Sequence, residues 1–268
     1  MSKLVFPEGI YYKYKYVMGG DYIPSDMEVT TIGSLYRGAA ATIINVNCNT
    51  SNCTTANYTF SDCANLITIN SFDTSNVTNM SYMFMNCTNL LTIPQLDTSN
   101  VTTMTSMFQA CKALLTIPQL DTSSVTNMSN MFMDCTNLLT IPQLDTSNVT
   151  TMNQMFYGCT KIYSLPKFNA SKLNDVSSFF GASTIDALKH VGGFENLGMV
   201  QSVSGTYNSF IRYCPNLTKE SVLNVLNGLY DRASAGMSVL TLKLHANVLA
   251  LLSDEEKAIA TNKGWTLS

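Results

Sequence analysis

Leu96-Asp97-Thr98-Ser99-Asn100-Val101-Thr102-Thr103-Met104-Thr105-Ser106-Met107-Phe108-Gln109-Ala110-Cys111-Lys112-Ala113-Leu114-Leu115-Thr116-Ile117-Pro118-Gln119 is one turn of a pattern with a period of 24 residues. Asp73, Asp97, Asp121 and Asp145 fall on one phase. Phe84, Phe108, Phe132, Phe156 and Phe180 fall on a second, and Cys63, Cys87, Cys111, Cys135 and Cys159 on a third. No insertion interrupts these series. Held apolar positions among drifting Ser, Thr, Asn and Lys mark a stacked repeat protein, in which each unit contacts mainly its neighbours.

Inside a copy two hydrophobic rhythms alternate. Met80, Met83, Phe84 and Cys87 are spaced i, i+3, i+4, i+7, one face of a short helix, and Leu91 and Ile93 flank Thr92 with the two-residue rhythm of a strand. The spacing therefore predicts an α/β unit of one short strand and one short helix. Pro94, Pro118, Pro142 and Pro166 end the strand, because proline has no amide to give to a ladder. Asp-Thr-Ser-Asn then turns the chain, since short polar side chains bond nearby backbone amides. Parallel strands stacked in register lie about 4.8 Å apart, so each phase becomes a column along the stack.

The period reaches beyond the clear copies. Val29-Thr30-Thr31-Ile32 and Leu35-Tyr36 lie two periods before Val77-Thr78-Asn79-Met80 and Met83-Phe84, with a degenerate copy carrying Cys53, Ala56, Phe60, Cys63, Leu66 and Ile69 between them. Residues 1–24 do not match; Ile10-Tyr11-Tyr12-Lys13-Tyr14-Lys15-Tyr16-Val17 reads as a strand of an N-terminal cap. The repeats run over 25–217, regular at 72–180 and irregular at 181–217. There Phe210, Cys214 and Leu217 recover their phases after about six extra residues near Val191-Gly192-Gly193-Phe194. Residues 218–268 read as a closing cap of helix, strand, helix, strand. Thr218 caps a helix with Val222, Leu223, Val225, Leu226 and Leu229 on one face, and Val239 to Leu244 form a strand. Ser253-Asp254-Glu255-Glu256 is a capping box, Gly264 closes that helix, and Trp265 to Leu267 follow as an edge.

The phrase Leu-Asp-Thr-Ser-Asn-Val-Thr-x-Met-x-x-Met-Phe-x-x-Cys-x-x-Leu at 96–114, repeated at 144–162 with Ile162 last, resembles the repeats of BspA-like leucine-rich-repeat surface proteins. The resemblance covers about residues 25–217. It implies a leucine-rich-repeat solenoid with a parallel strand ladder and short helices behind it, with roles in adhesion and in protein or glycan recognition at bacterial surfaces. Ser253 to Trp265 also resembles the closing segment of leucine-rich proteins of gut bacteria and their phages. Met1 to Glu8 lacks the apolar stretch of a secretory signal. A phage virion component fits that opening, a bacterial surface adhesin fits the resemblance, and a cytoplasmic interaction scaffold is the alternative.

Charge narrows the partners. With a net charge of -3 there is no basic footprint for nucleic acid, and no apolar run is long enough to insert in a membrane. Two isolated histidines, no glycine-rich phosphate loop and no paired nucleophile and base give no catalytic set, so the sequence points to a non-enzymatic protein without cofactor or metal.

Several columns bear on function. Thr92, Thr116, Thr140 and Ser164, with Gln95, Gln119 and Gln143 beside them, form the candidate recognition face on the outer side of the ladder; a merely solvated sheet is the other reading. Four aspartates about 5 Å apart repel by about 3 kcal/mol per pair at an effective dielectric of 20, so turn amides or a row of calcium ions must offset them. The column cysteines read as small buried hydrophobes. Cys48 and Cys53 are the better disulfide or metal candidates, although neither His190 nor His245 is near in sequence to complete a zinc site. The glycan-acceptor triplets at Asn76, Asn100, Asn127 and Asn148 recur because the fold repeats.

Overall fold

A computed structural model describes residues 31–46, 48–181, 184–199 and 211–268. The N-terminal cap expected over 1–24, with its strand at Ile10 to Val17, lies outside them, as does Phe210. The described chain is mixed α/β, with short parallel strand pairs and few helices. Strands β1 (Ile43–Ile44) and β2 (Thr68–Ile69) pair in parallel. So do β3 (Ser164–Leu165) with β5 (His190–Val191), and β4 (Phe168–Asn169) with β6 (Phe194–Glu195). Ser164 meets His190, 26 residues on rather than 24, so the register begins to lengthen there.

Between these pairs, single parallel bridges run Thr55 to Asn79 to Thr103 to Asn127 to Thr151 to Asp175, one per 24-residue coil. Equivalent residues therefore touch their equivalents. The rings of Tyr36, Phe60, Phe84, Phe108, Phe132 and Phe156 form one column with centroids 5.3 to 5.6 Å apart and planes within 10°. Phe180 continues it at 6.2 Å. Beside the rings, the Met, Cys, Val and Leu phases are buried along the array in one continuous core.

The helix expected in each copy is not there. From Met80 to Asn86, alternate amides leave their own coil: Met80, Tyr82, Phe84 and Asn86 donate to the carbonyls of Thr103, Thr105, Met107 and Gln109 at 2.8 to 3.2 Å. The amides between them, on Met83, Met85 and Cys87, fold back three residues to Met80, Tyr82 and Phe84. An α-helix needs every amide to bond within its own chain four residues back. Here the next coil supplies half the acceptors, and left-handed residues at Tyr82 (φ 61°) and Asn86 (φ 62°) bend the segment into an arc. The same arc recurs with Ser106 and Ala110, and with Asn130 and Asp134. The i, i+3, i+4, i+7 spacing reports which side chains face inward, which an arc shares with a helix.

The expected strand is also shorter than its rhythm. In the central coils, Leu139 donates to the Leu115 carbonyl and Tyr163 to that of Leu139, and prolines at 118 and 142 then break the ladder. Leu91 does not point inward with Ile93. Leu90 already fills the interior, so Leu91 and Thr92 both lie outside and only Ile93 returns.

The C-terminal part contains the expected elements. Helix α1 (Lys219–Asn227) is capped by Thr218, whose side chain accepts the Ser221 amide. Strand β7 (Leu240–Leu242) pairs in parallel with β8 (Trp265–Leu267). Helix α3 (Asp254–Asn262) opens on the Ser253–Glu256 capping box, and Gly264 follows at φ 77°. A four-residue helix α2 (Ala246–Leu249), capped by His245, was not foreseen. Arg232 is fully buried; its guanidinium donates to the carbonyls of Ser238 (2.7 Å) and Gly198 (2.6 Å), tying this part to the coil that precedes α1.

Candidate recognition face

On the outer side of the stack, Thr92, Thr116, Gln95, Gln119 and Gln143 are exposed, and Thr140 and Ser164 are half-buried. The structure thus places all seven residues along one face, one set per coil. Beside the hydroxyl row lies an apolar row that includes Leu91, whose strand rhythm with Ile93 pointed inward. Ile67, Leu91, Leu115, Leu139 and Tyr163 stand on five successive coils, each 37 to 52% exposed, and exposed Ile43 pairs with Thr68 at the head of the hydroxyl row. The signal for it was the doubled apolar pair at Leu90-Leu91, Leu114-Leu115 and Leu138-Leu139, of which one member has no room inside.

The glutamines are less free than their exposure suggests. Gln95 Nε2 donates to the Gln119 carbonyl at 2.7 Å and to the Leu96 carbonyl at 3.3 Å. Gln119 and Gln143 repeat both bonds, reaching the carbonyls of Gln143 and Lys167 at 2.6 Å. An amide nitrogen has two hydrogens, so these donors are committed to the stack. What each glutamine can offer a ligand is its oxygen, an acceptor. A shallow groove of about 560 Å³ runs beside this row, with Gln119, Asp121, Ser123, Gln143, Asp145 and Lys167 among its walls.

The aspartates form Asx turns. Asp73, Asp97 and Asp121 each accept the amide and the hydroxyl of the serine two residues on, at 2.7 to 3.0 Å. Asp145 accepts the Ser147 amide at 2.9 Å. These serine bonds hold the carboxyls of Asp73, Asp97 and Asp121 below the usual carboxylate range, against the opposing push of neighbouring aspartates on Asp73 and Asp121. Turn donors therefore answer the repulsion. Asn76, Asn100 and Asn148 donate from Nδ2 to the carbonyls of Ser51, Ser75 and Ser123 in the preceding coil, all at 2.7 Å, so those amides serve the stack.

All eight cysteines, Cys48 and Cys53 included, are buried thiols. His190 sits exposed in β5, and His245 Nδ1 accepts the Asn247 amide at 3.2 Å. Among the described residues no group of three or more His, Cys, Asp or Glu side chains gathers as a metal would need, and no helix is long and apolar enough to cross a membrane.

No curated protein and no solved structure matches the chain. Residues 25–114 and 89–190, which together span more than half of its 268 residues, match the family described as Mycoplasma protein of unknown function, DUF285. The matched span is the stacked array and the face it carries, and the chain belongs to that family.

Proposed function

We propose that the chain is a BspA-like leucine-rich-repeat solenoid, without enzymatic activity, that recognises protein or glycan through its ladder face. Residues 25–217 form the solenoid in this reading, and 218–268 close its end. The observation that carries it is the exposed apolar column from Ile67 to Tyr163 beside the Thr and Gln rows. Interior packing does not need these side chains, and contiguous exposed apolar surface on a folded chain marks interaction sites. The glutamine donors are spent within the stack, so the face presents hydroxyls and amide oxygens around an apolar strip. A matching ligand brings hydrogen-bond donors and apolar surface and carries little charge, as glycan rings or an extended peptide do.

The protein works in this reading as a virion component or a bacterial surface adhesin. Mass spectrometry of purified particles and cell fractions tests the location, and a chain found only in cytosol would leave the interaction-scaffold reading. A glycan and protein binding screen comparing wild type with Thr116→Glu tests the face. The substitution should leave folding unchanged and weaken capture by about tenfold or more, the cost of burying one unpaired charge at an interface. Unaltered affinity for a captured ligand would move recognition elsewhere.

A further inference from the structure

We propose that the ladder face is occupied by a second copy of this chain, with the column Ile67, Leu91, Leu115, Leu139 and Tyr163 meshing against its own counterpart in a two-fold dimer. This rests on the ladder-face reading and names the partner for it. The column is unbroken over five coils, and each side chain is about half exposed. Such a strip is a patch on the order of 500 Å², at the upper end of what a monomer carries. A stable interface takes about 800 Å² from each partner, so the contact has to take in the Thr and Gln rows beside the strip.

Spacing argues for a copy of the same chain over an unrelated partner. Coils repeat at about 4.8 Å, so the rungs of one ridge fall between the rungs of another only if that partner has the same repeat along its whole length. A second array meets that condition at every rung. Charge allows it as well. The hydroxyl and glutamine rows on one flank, and Asn65, Asn89, Ala113 and Asn137 on the other, are uncharged, and the lysines that continue these rows, Lys161 and Lys167, both lie on the Tyr163 coil at one end. Two chains of net charge -3 therefore meet over mostly uncharged rows, and an antiparallel pairing sets the two lysine ends apart. An antiparallel arrangement makes the contact self-complementary and closed, and a closed contact yields dimers without growing into fibres.

Sedimentation of the full chain tests this, with circular dichroism to confirm that each variant is folded. The wild type should sediment as a dimer at tens of micromolar. Leu115→Lys places like charges face to face at a central rung and should weaken self-association by about 100-fold or more; Leu139→Ser, polar and uncharged, should weaken it less. Thermal unfolding of the isolated monomers should be unchanged, because both side chains stand outside the core. A monomeric wild type, or a dimer equally tight in a folded Leu115→Lys, Leu139→Lys double variant, would overturn the proposal. A monomeric chain whose capture of a screened glycan or protein is abolished by Leu115→Lys would remove the second copy and keep the ladder face as a recognition surface. A dimer sensitive to Leu115→Lys whose ligand capture ignores Thr116→Glu would support the proposal and place ligand recognition elsewhere.

Discussion

The thiol of Cys111 donates to the main-chain oxygen of Phe84 in the preceding coil at 3.1 Å. The same bond joins Cys63 to Tyr36, Cys87 to Phe60, Cys135 to Phe108 and Cys159 to Phe132, at 2.9 to 3.0 Å. Each cysteine of the column is thus a cross-link by hydrogen bond as well as an apolar filler. Burial also pushes the thiols of Cys87, Cys111, Cys135 and Cys159 upward, away from the reactive thiolate, and outside the column Cys53 is raised to about 12, first by burial and then by Cys48 and Asp73. Since the thiolate is the nucleophile, a maleimide should leave the native protein unmodified and label all eight cysteines in denaturant, as counted by intact mass. Two or more thiols reacting natively at the rate of a free cysteine would place them at the surface.

Phe108→Ala should destabilise the protein by about 3 to 5 kcal/mol. The ring is fully buried and stacked on both faces, 5.6 Å from Phe84 and 5.6 Å from Phe132, so deletion opens a cavity that the arcs on either side cannot collapse into. Urea denaturation checks it; a loss below about 1 kcal/mol would show a column able to repack.

Ala110 has φ 59° at a position held elsewhere by Asp62, Asn86, Asp134 and Gly158. An alanine there carries about 1 to 2 kcal/mol of left-handed strain, against about 0.5 to 1 kcal/mol of extra unfolded-chain freedom that a glycine would bring. Ala110→Gly should accordingly be neutral or stabilising by up to about 1 kcal/mol. Gly158→Ala, at φ 74°, should lose stability, because the new methyl would run into Asp134 Oδ1. Paired melting curves decide; equal losses in both variants would refute the strain argument.

Asp73, Asp97 and Asp121 have carboxyls held below their ordinary range by the Ser75, Ser99 and Ser123 hydroxyls and amides. A carboxyl depressed in the folded state favours folding above its unfolded pKa, near 3.9, and that contribution is lost as pH falls through the lower folded value. Stability should therefore decline on acidification below about pH 4, and the decline should be shallower in the Asp73→Asn, Asp97→Asn, Asp121→Asn variant, which keeps a turn acceptor that does not titrate. Urea midpoints between pH 7 and pH 2 measure it. Parallel curves for the two proteins would assign acid sensitivity to other groups.

Columns were legible in the sequence because a fixed period brings identical residues to identical places: the Phe and Cys phases, the extension back to Tyr36, and the Thr and Gln face all follow from counting. The capped helices at Thr218 and Ser253 were legible for a different reason, since their signals are local. The short helix in each copy was misread because inward spacing does not say where the amides go, and in the arc from Met80 to Asn86 half of them cross to the next coil. Leu91 was misplaced because two adjacent leucines satisfy a strand rhythm and a bend equally well. The glutamine donors were invisible because exposure and hydrogen bonding are independent properties of a side chain.

A bridge that joins Asn79 to Thr103 and then Thr103 to Asn127 makes each regular coil interchangeable with the next. Excising 97–120 would join Leu96 to Asp121 and present the same donors to the same acceptors. The molecule is in this sense graduated like a ruler: recombination between near-identical copies can lengthen or shorten it by whole divisions, scaling the outer face in proportion.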